Sequence, residues 1–104
     1  MVNLLIADDH AVVRAGVKQL AAASAEIGEI GEAATGREAL ARLREAKWDV
    51  VLLDISLPDL SGIEVLKEIK REWPALPVLV FTIHSEEQYA IRALRAGAAG
   101  YLCK

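Results

Sequence analysis

A chain of 104 residues, 54% hydrophobic and 26% charged, has the size of one packed domain and too mixed a charge for a disordered one. A formal net charge of −3 with no basic stripe gives no footprint for nucleic acid or an anionic membrane. The single cysteine, Cys103, excludes a disulfide within the chain and fits a reducing compartment.

The N-terminus, "MVNLLIADDH", lacks the basic and apolar regions of a signal peptide. No apolar run approaches the ~20 residues of a membrane span, so a soluble cytoplasmic protein is expected. The first strand is predicted over Val2 to Ala7. Asp8 and Asp9 follow it at once. Val13, Val17 and Leu20 then mark one face of a helix. A second strand is predicted over Ile27 to Ala33. Its "IGEIGEAA" is Gly-interrupted and belongs nearer a sheet edge. Thr35 and Glu38 form a capping box before Ala39, Leu40 and Leu43. A third strand is expected over Asp49 to Leu53. Ser61 and Glu64 repeat the capping signature before Leu66, Ile69 and Trp73. A fourth strand is predicted over Val78 to Thr82. Ser85 and Gln88 cap a helix carrying Ile91 and Leu94, which Gly97 ends. The last strand runs from Gly100 to Cys103.

Strands one, three and four read as nearly continuous apolar runs, as strands buried on both faces do. Alternation of five strands with four helices gives a parallel sheet with helices on both faces. The chain stops where another helix normally packs after the last strand. A longer protein is therefore expected, with the fifth helix and any output domain lying outside residues 1–104.

Ligands bind such sheets outside the carboxyl ends of the strands, where the strand order reverses. Asp8 and Asp9 end strand one, Asp54 ends strand three, Thr82 ends strand four and Lys104 ends strand five. Three carboxylates, a hydroxyl and an ammonium meet at one rim. The carboxylates need a compensating charge, and a hard divalent cation with oxygen ligands supplies it. Mg²⁺ takes six oxygens at about 2.0–2.1 Å and often joins one or two carboxylates to a phosphate. Lys104 offers a point charge for a phosphate oxygen. The set reads as a metal-assisted phosphoryl site with a carboxylate nucleophile. Each residue alone has a plainer reading. Asp9 would cap a helix, Asp54 would sit in a turn, Thr82 would be an ordinary strand residue and Lys104 a solvated one. Those readings do not explain why all five fall at strand ends.

The whole chain resembles a response-regulator receiver domain. The resemblance rests on "ADDH", "DVVLLDISLPDLSGIEVL", "VLVFT" and "GAAGYLCK". "ADDHAVVRAGV" and "RALRAGAAGYLCK" are similar to the NarL/FixJ-like subfamily, whose receivers precede a LuxR-type helix-turn-helix domain. Ala11 stands where that subfamily often has proline.

The resemblance implies a doubly wound five-stranded parallel sheet of order 2-1-3-4-5. It implies that Asp54 accepts a phosphoryl group from a sensor histidine kinase. Mg²⁺ would be held by Asp9, Asp54 and the backbone carbonyl of Ser56, with Asp8 acting through a water. Lys104 would pair with Asp54 and then with the phosphoryl group. Thr82 would move toward that group and Tyr101 would turn inward behind it. Ser56 and His84 would flank it and tune its hydrolysis. His10 is expected to be exposed, and Pro58 and Gly62 to shape the loop after Asp54. Such a protein assists its own phosphorylation but is not a turnover enzyme. The implied readout is the fourth helix, fifth strand and following helix. That surface would control DNA-binding transcription regulation through an output domain, with homodimer formation on phosphorylation.

A stand-alone receiver in a phosphorelay is the alternative within the family. A haloacid-dehalogenase-type phosphatase shares the Asp nucleophile, Mg²⁺, hydroxyl and Lys. It wants a second Asp where Ser56 stands and its nucleophile after strand one. A flavodoxin-like carrier wants a hydroxyl-rich and Gly-rich phosphate loop where the acidic pair stands.

Overall fold

The computed structural model describes residues 2–82 and 87–103, and side chains for 2–81 and 90–101. Among these lie five strands and four helices in strict alternation. They are β1 (Val2–Ala7), α1 (Ala11–Ala22), β2 (Ile27–Ala33), α2 (Gly36–Glu45) and β3 (Val50–Asp54), then α3 (Gly62–Glu72), β4 (Val78–Thr82), α4 (Glu87–Arg95) and β5 (Gly100–Cys103). The sheet has order β2-β1-β3-β4-β5 and every pairing is parallel. The chain steps from β1 to β2 on one side and then returns across β1 to β3. The reversal lies between β1 and β3, so the loops after Ala7 and Asp54 open side by side.

Alternation along each strand divides the core. Leu5, Ala7, Val51, Leu53, Val78 and Val80 point into a large cluster covered by α2, α3 and, through Ala93, α4. Leu4, Ile6 and Phe81 point the other way, where Val13 and Val17 of α1 pack on them. Leu52 and Leu79, on that second side by alternation, are half-buried.

Local signals explain the element ends. Thr35 caps α2 by accepting the Glu38 N–H at 3.1 Å, as the capping box requires. Ser61 caps α3, but through the N–H of Ile63 rather than that of Glu64. Gly97, at φ +105°, ends α4 where a side chain would be strained. Asp9 does not cap α1. His10 occupies that position, with no side-chain cap bond. The pair Ser85–Gln88 lies outside the described residues or side chains.

Two apolar stripes differ from expectation. Leu20 is 79% exposed, because α1 meets the sheet along the row Val13, Val17, Ala21 and Leu20 falls beside it. Ile91 and Leu94 are 43% and 53% exposed. Among the described side chains of α4, Ala93 is the fully buried one, and Ala96, just past the helix, packs partly against the same core. The small Ala93 faces the core where Ile91 and Leu94 turn outward. β3 also runs one residue later than expected. Asp49 instead bridges to β1, donating its N–H to the Asn3 carbonyl at 2.8 Å while its carboxylate accepts the Asn3 N–H at 2.7 Å.

Candidate functional site

The polar rim begins where the apolar strands end. After Ala7, one more ladder bond forms, from Asp8 N–H to the Ala33 carbonyl at 2.9 Å. This bond pins Asp8 at the carboxyl rim of the sheet with its side chain fully buried. Asp9 lies in the loop with its side chain 34% exposed. The two adjacent acids therefore part company in burial. Asp54, the last residue of β3, is 1% exposed. Its Oδ1 accepts the Ser56 N–H at 3.0 Å, which bends the chain tightly after the strand.

His10 completes the group. Its backbone N–H donates to Asp8 Oδ1 at 2.8 Å. Its ring Nδ1 lies 2.9 Å from the same oxygen and 3.1 Å from Asp9 Oδ1. One candidate ligand atom from each of Asp8, Asp9, His10 and Asp54 lies within 4.8 Å of the others. The sequence points to the three acids but reads His10 only as exposed. Its ring is 57% exposed, yet it faces both acids. The signal was its place directly after the acidic pair.

The floor of the site depends on Gly62. Its N–H donates to the Ile55 carbonyl at 2.9 Å, drawing the start of α3 beneath Asp54. A Cβ there would lie 2.3 Å from Ile55 Cα and 2.7 Å from the Asp54 carbonyl oxygen. Asp59 ties the same loop to α2, accepting the Gly36 N–H at 2.7 Å and the Arg37 N–H at 3.0 Å. Desolvation opposes ionisation of Asp59. The N–H groups of Gly36, Arg37, Asp59 and Leu60 outweigh it and hold the carboxyl below its ordinary range. No local pattern marks Asp59 as a cap, because the helix it serves lies 22 residues upstream.

Of the other expected site residues, Ser56 is exposed and contributes its backbone N–H to Asp54. Thr82 ends β4, paired with Cys103 and one residue beyond Phe81, the partner of Asp54. Its side chain, Lys104 and His84 lie outside what the structure describes. Tyr101 pairs with Val80 and is half-buried against the larger core cluster. The structure thus brings Asp8, Asp9 and Asp54 together at one rim.

Two buried carboxylates and a third at the surface repel one another at this range. They form a hard oxygen donor set of the kind that holds a divalent cation. The residues present therefore fit a metal ion.

Residues 4–104 match the response regulator receiver domain family. The chain belongs to that family. It is 42% identical over 102 residues to YhcZ of Bacillus subtilis, an uncharacterized transcriptional regulatory protein, covering 98% of this chain and 48% of that one. It is 38% identical over 104 residues to the response regulator UvrY of Escherichia coli, covering 100% and 48%. Among solved structures, a LuxR-family two-component response regulator from Aurantimonas superposes with a TM-score of 0.92 at 35% identity, covering 98% of this chain and 73% of that one. The chain spans about half the length of the curated relatives it matches. No helix among the described residues is long and apolar enough to cross a membrane. The family match removes the support for the phosphatase and flavodoxin-like readings.

Proposed function

We propose that this receiver domain is phosphorylated on Asp54 by a sensor histidine kinase and relays that state to a DNA-binding output. One observation carries the reading. In a member of this family, Asp54 ends β3 within 4.8 Å of both acids that follow β1.

A carboxylate oxygen of Asp54 attacks the phosphorus of the kinase's phosphohistidine. The P–N bond breaks, the imidazole leaves with its electron pair and takes a proton, and an acyl phosphate remains on Asp54. A bound Mg²⁺ would neutralise charge developing on the transferred oxygens. Asp9, Asp54 and the Ser56 carbonyl would hold it directly, with Asp8 outside them through a water. The burial of Asp8 suits a residue that orients the site, and the exposure of Asp9 leaves its carboxylate accessible from solvent. Lys104 pairs with Asp54 at rest and with a phosphoryl oxygen afterwards. Ser56 and His84 flank the phosphoryl group and tune its hydrolysis.

The product carries more negative charge than the carboxylate and more acceptor oxygens. Thr82 satisfies one of them by approaching, and Tyr101 turns into the space it leaves. The equilibrium between two packings shifts because the phosphoryl group contacts them differently. The exposed Ile91 and Leu94 of α4 suit a surface that reads this change through protein contact. Relatives about twice as long, one of them named a transcriptional regulatory protein, support an output domain beyond residue 104, which we take to be DNA-binding and cytoplasmic. Phosphorylation then favours a homodimer.

Acetyl phosphate and Mg²⁺ should add one phosphoryl group to the purified chain, read by intact mass. Asp54→Ala should abolish the addition, and a chelator should suppress it. Equal labelling of Asp54→Ala and wild type would refute the assignment.

A further inference from the structure

Among the described residues, the ring of His10 is a feature of the rim that neither the phosphoryl chemistry nor the helix start employs. It does not cap α1. Its Nδ1 faces two carboxylates at once, 2.9 Å from Asp8 Oδ1 and 3.1 Å from Asp9 Oδ1. Asp8 Oδ1 also accepts the His10 backbone N–H at 2.8 Å, so the ring is not its sole partner. The ring nitrogen therefore adds a donor atom to the group formed with Asp54.

We infer that His10 is a metal-specificity residue, giving the site a nitrogen donor that selects first-row transition cations such as Co²⁺ or Zn²⁺ over Mg²⁺. The inference rests on the proposed cation site at Asp8, Asp9 and Asp54. Three carboxylates alone form a hard oxygen set suited to Mg²⁺, which is reluctant to exchange oxygen for nitrogen. Imidazole nitrogen suits the later first-row divalent ions, whose affinity for such donors rises along the series. In the tautomer protonated on Nε2, the Nδ1 lone pair would be available to a cation held by these acids. A ring more than half exposed meets little steric resistance to that adjustment. Mg²⁺ would gain little from the ring, since it favours oxygen ligands and gives up water reluctantly.

The test uses the purified chain with Mg²⁺ and Co²⁺ as separate probes. It compares wild type with His10→Ala and with His10→Asn, which places a good helix-capping residue at the start of α1. Calorimetric titration should show Co²⁺ affinity falling by about tenfold or more in both variants. Mg²⁺ affinity should change by less than about threefold. Wild type with Co²⁺ should also show a hyperfine-shifted imidazole N–H proton signal, lost in D₂O and absent from both variants. Far-ultraviolet circular dichroism establishes that the variants are folded. Unchanged Co²⁺ affinity with no His10-dependent signal would overturn the inference while Mg²⁺ binding kept the cation site. Equal losses for both cations would overturn it too, since His10 would then merely hold the acids together. A wild-type chain that bound neither cation would refute the inference and the cation site alike.

Discussion

The two ends of the sheet are built on opposite principles. At the carboxyl end, Asp8 and Asp54 are buried beside Asp9, like charges gathered where the apolar strands stop. At the amino end, the loops before β3 and β4 border an open cleft of about 750 Å³, where Trp48, Trp73, Leu43 and Leu76 lie beside the paired charges of Arg44 and Glu72. Trp48 is 8% exposed, packs in the larger cluster and donates its indole N–H to the Arg42 carbonyl at 3.0 Å. Gly31 makes room for it, since a Cβ there would lie 2.4 Å from the indole ring. The lesson is a division of labour. The base accumulates apolar contact and satisfied donors. The rim gathers repulsion that a cation and a phosphoryl group can use.

Substitutions can break this division. The largest loss of stability is expected at the base, where Trp48→Ala should cost about 3–5 kcal/mol. Denaturant unfolding measures that loss, and Mg²⁺ affinity of the folded fraction should be unchanged. A large fall in Mg²⁺ affinity would mean that the two ends are not separable. Gly62→Ala joins them, because its Cβ would press on the backbone of Asp54 and Ile55. It should cost about 1–3 kcal/mol and also slow phosphoryl labelling. Normal labelling kinetics would show that the floor of the site tolerates movement.

Asp59→Ala should cost about 1 kcal/mol, since it frees two N–H groups at the start of α2 near solvent. Its pH dependence has a definite sign. The folded carboxyl titrates below its ordinary value of 3.8, so the unfolded chain binds the proton more readily. The stabilisation is complete above that value and disappears as pH falls through the lower folded value. Urea midpoints of wild type should therefore drop more steeply in that acid window than those of Asp59→Ala. The smallest effect should have the opposite sign. Without a divalent cation, Asp9→Asn removes one like charge from the rim. It should leave stability unchanged or raise it by up to about 1 kcal/mol. A clear destabilisation would mean that Asp9 serves the fold as well as the cation.

β1 and β4 lie where their continuous apolar runs place them, because a doubly covered strand leaves little freedom to its sequence, and the edge strands β2 and β5 also keep their expected bounds. β3 shifted by one residue because Asp49 bridges to Asn3, a long-range pairing that no local pattern carries. Leu20, Ile91 and Leu94 show the limit of periodicity. It finds an apolar stripe but not which row of it touches the sheet, and among the described side chains of α4 it is Ala93 that is buried. The acids were legible because strand ends locate them without knowledge of packing. Asp59 and the ring of His10 were not, because their roles are contacts made across the fold.

The central claim is that Asp54, of the three rim acids, carries the phosphoryl group. An acyl phosphate is reduced by borohydride to an alcohol, turning a phosphorylated aspartate into homoserine. After treatment with acetyl phosphate and Mg²⁺, reduction and peptide mass mapping should find homoserine at position 54 and nowhere else. Homoserine at position 8 or 9, or none despite a phosphoryl mass increase, would contradict the account.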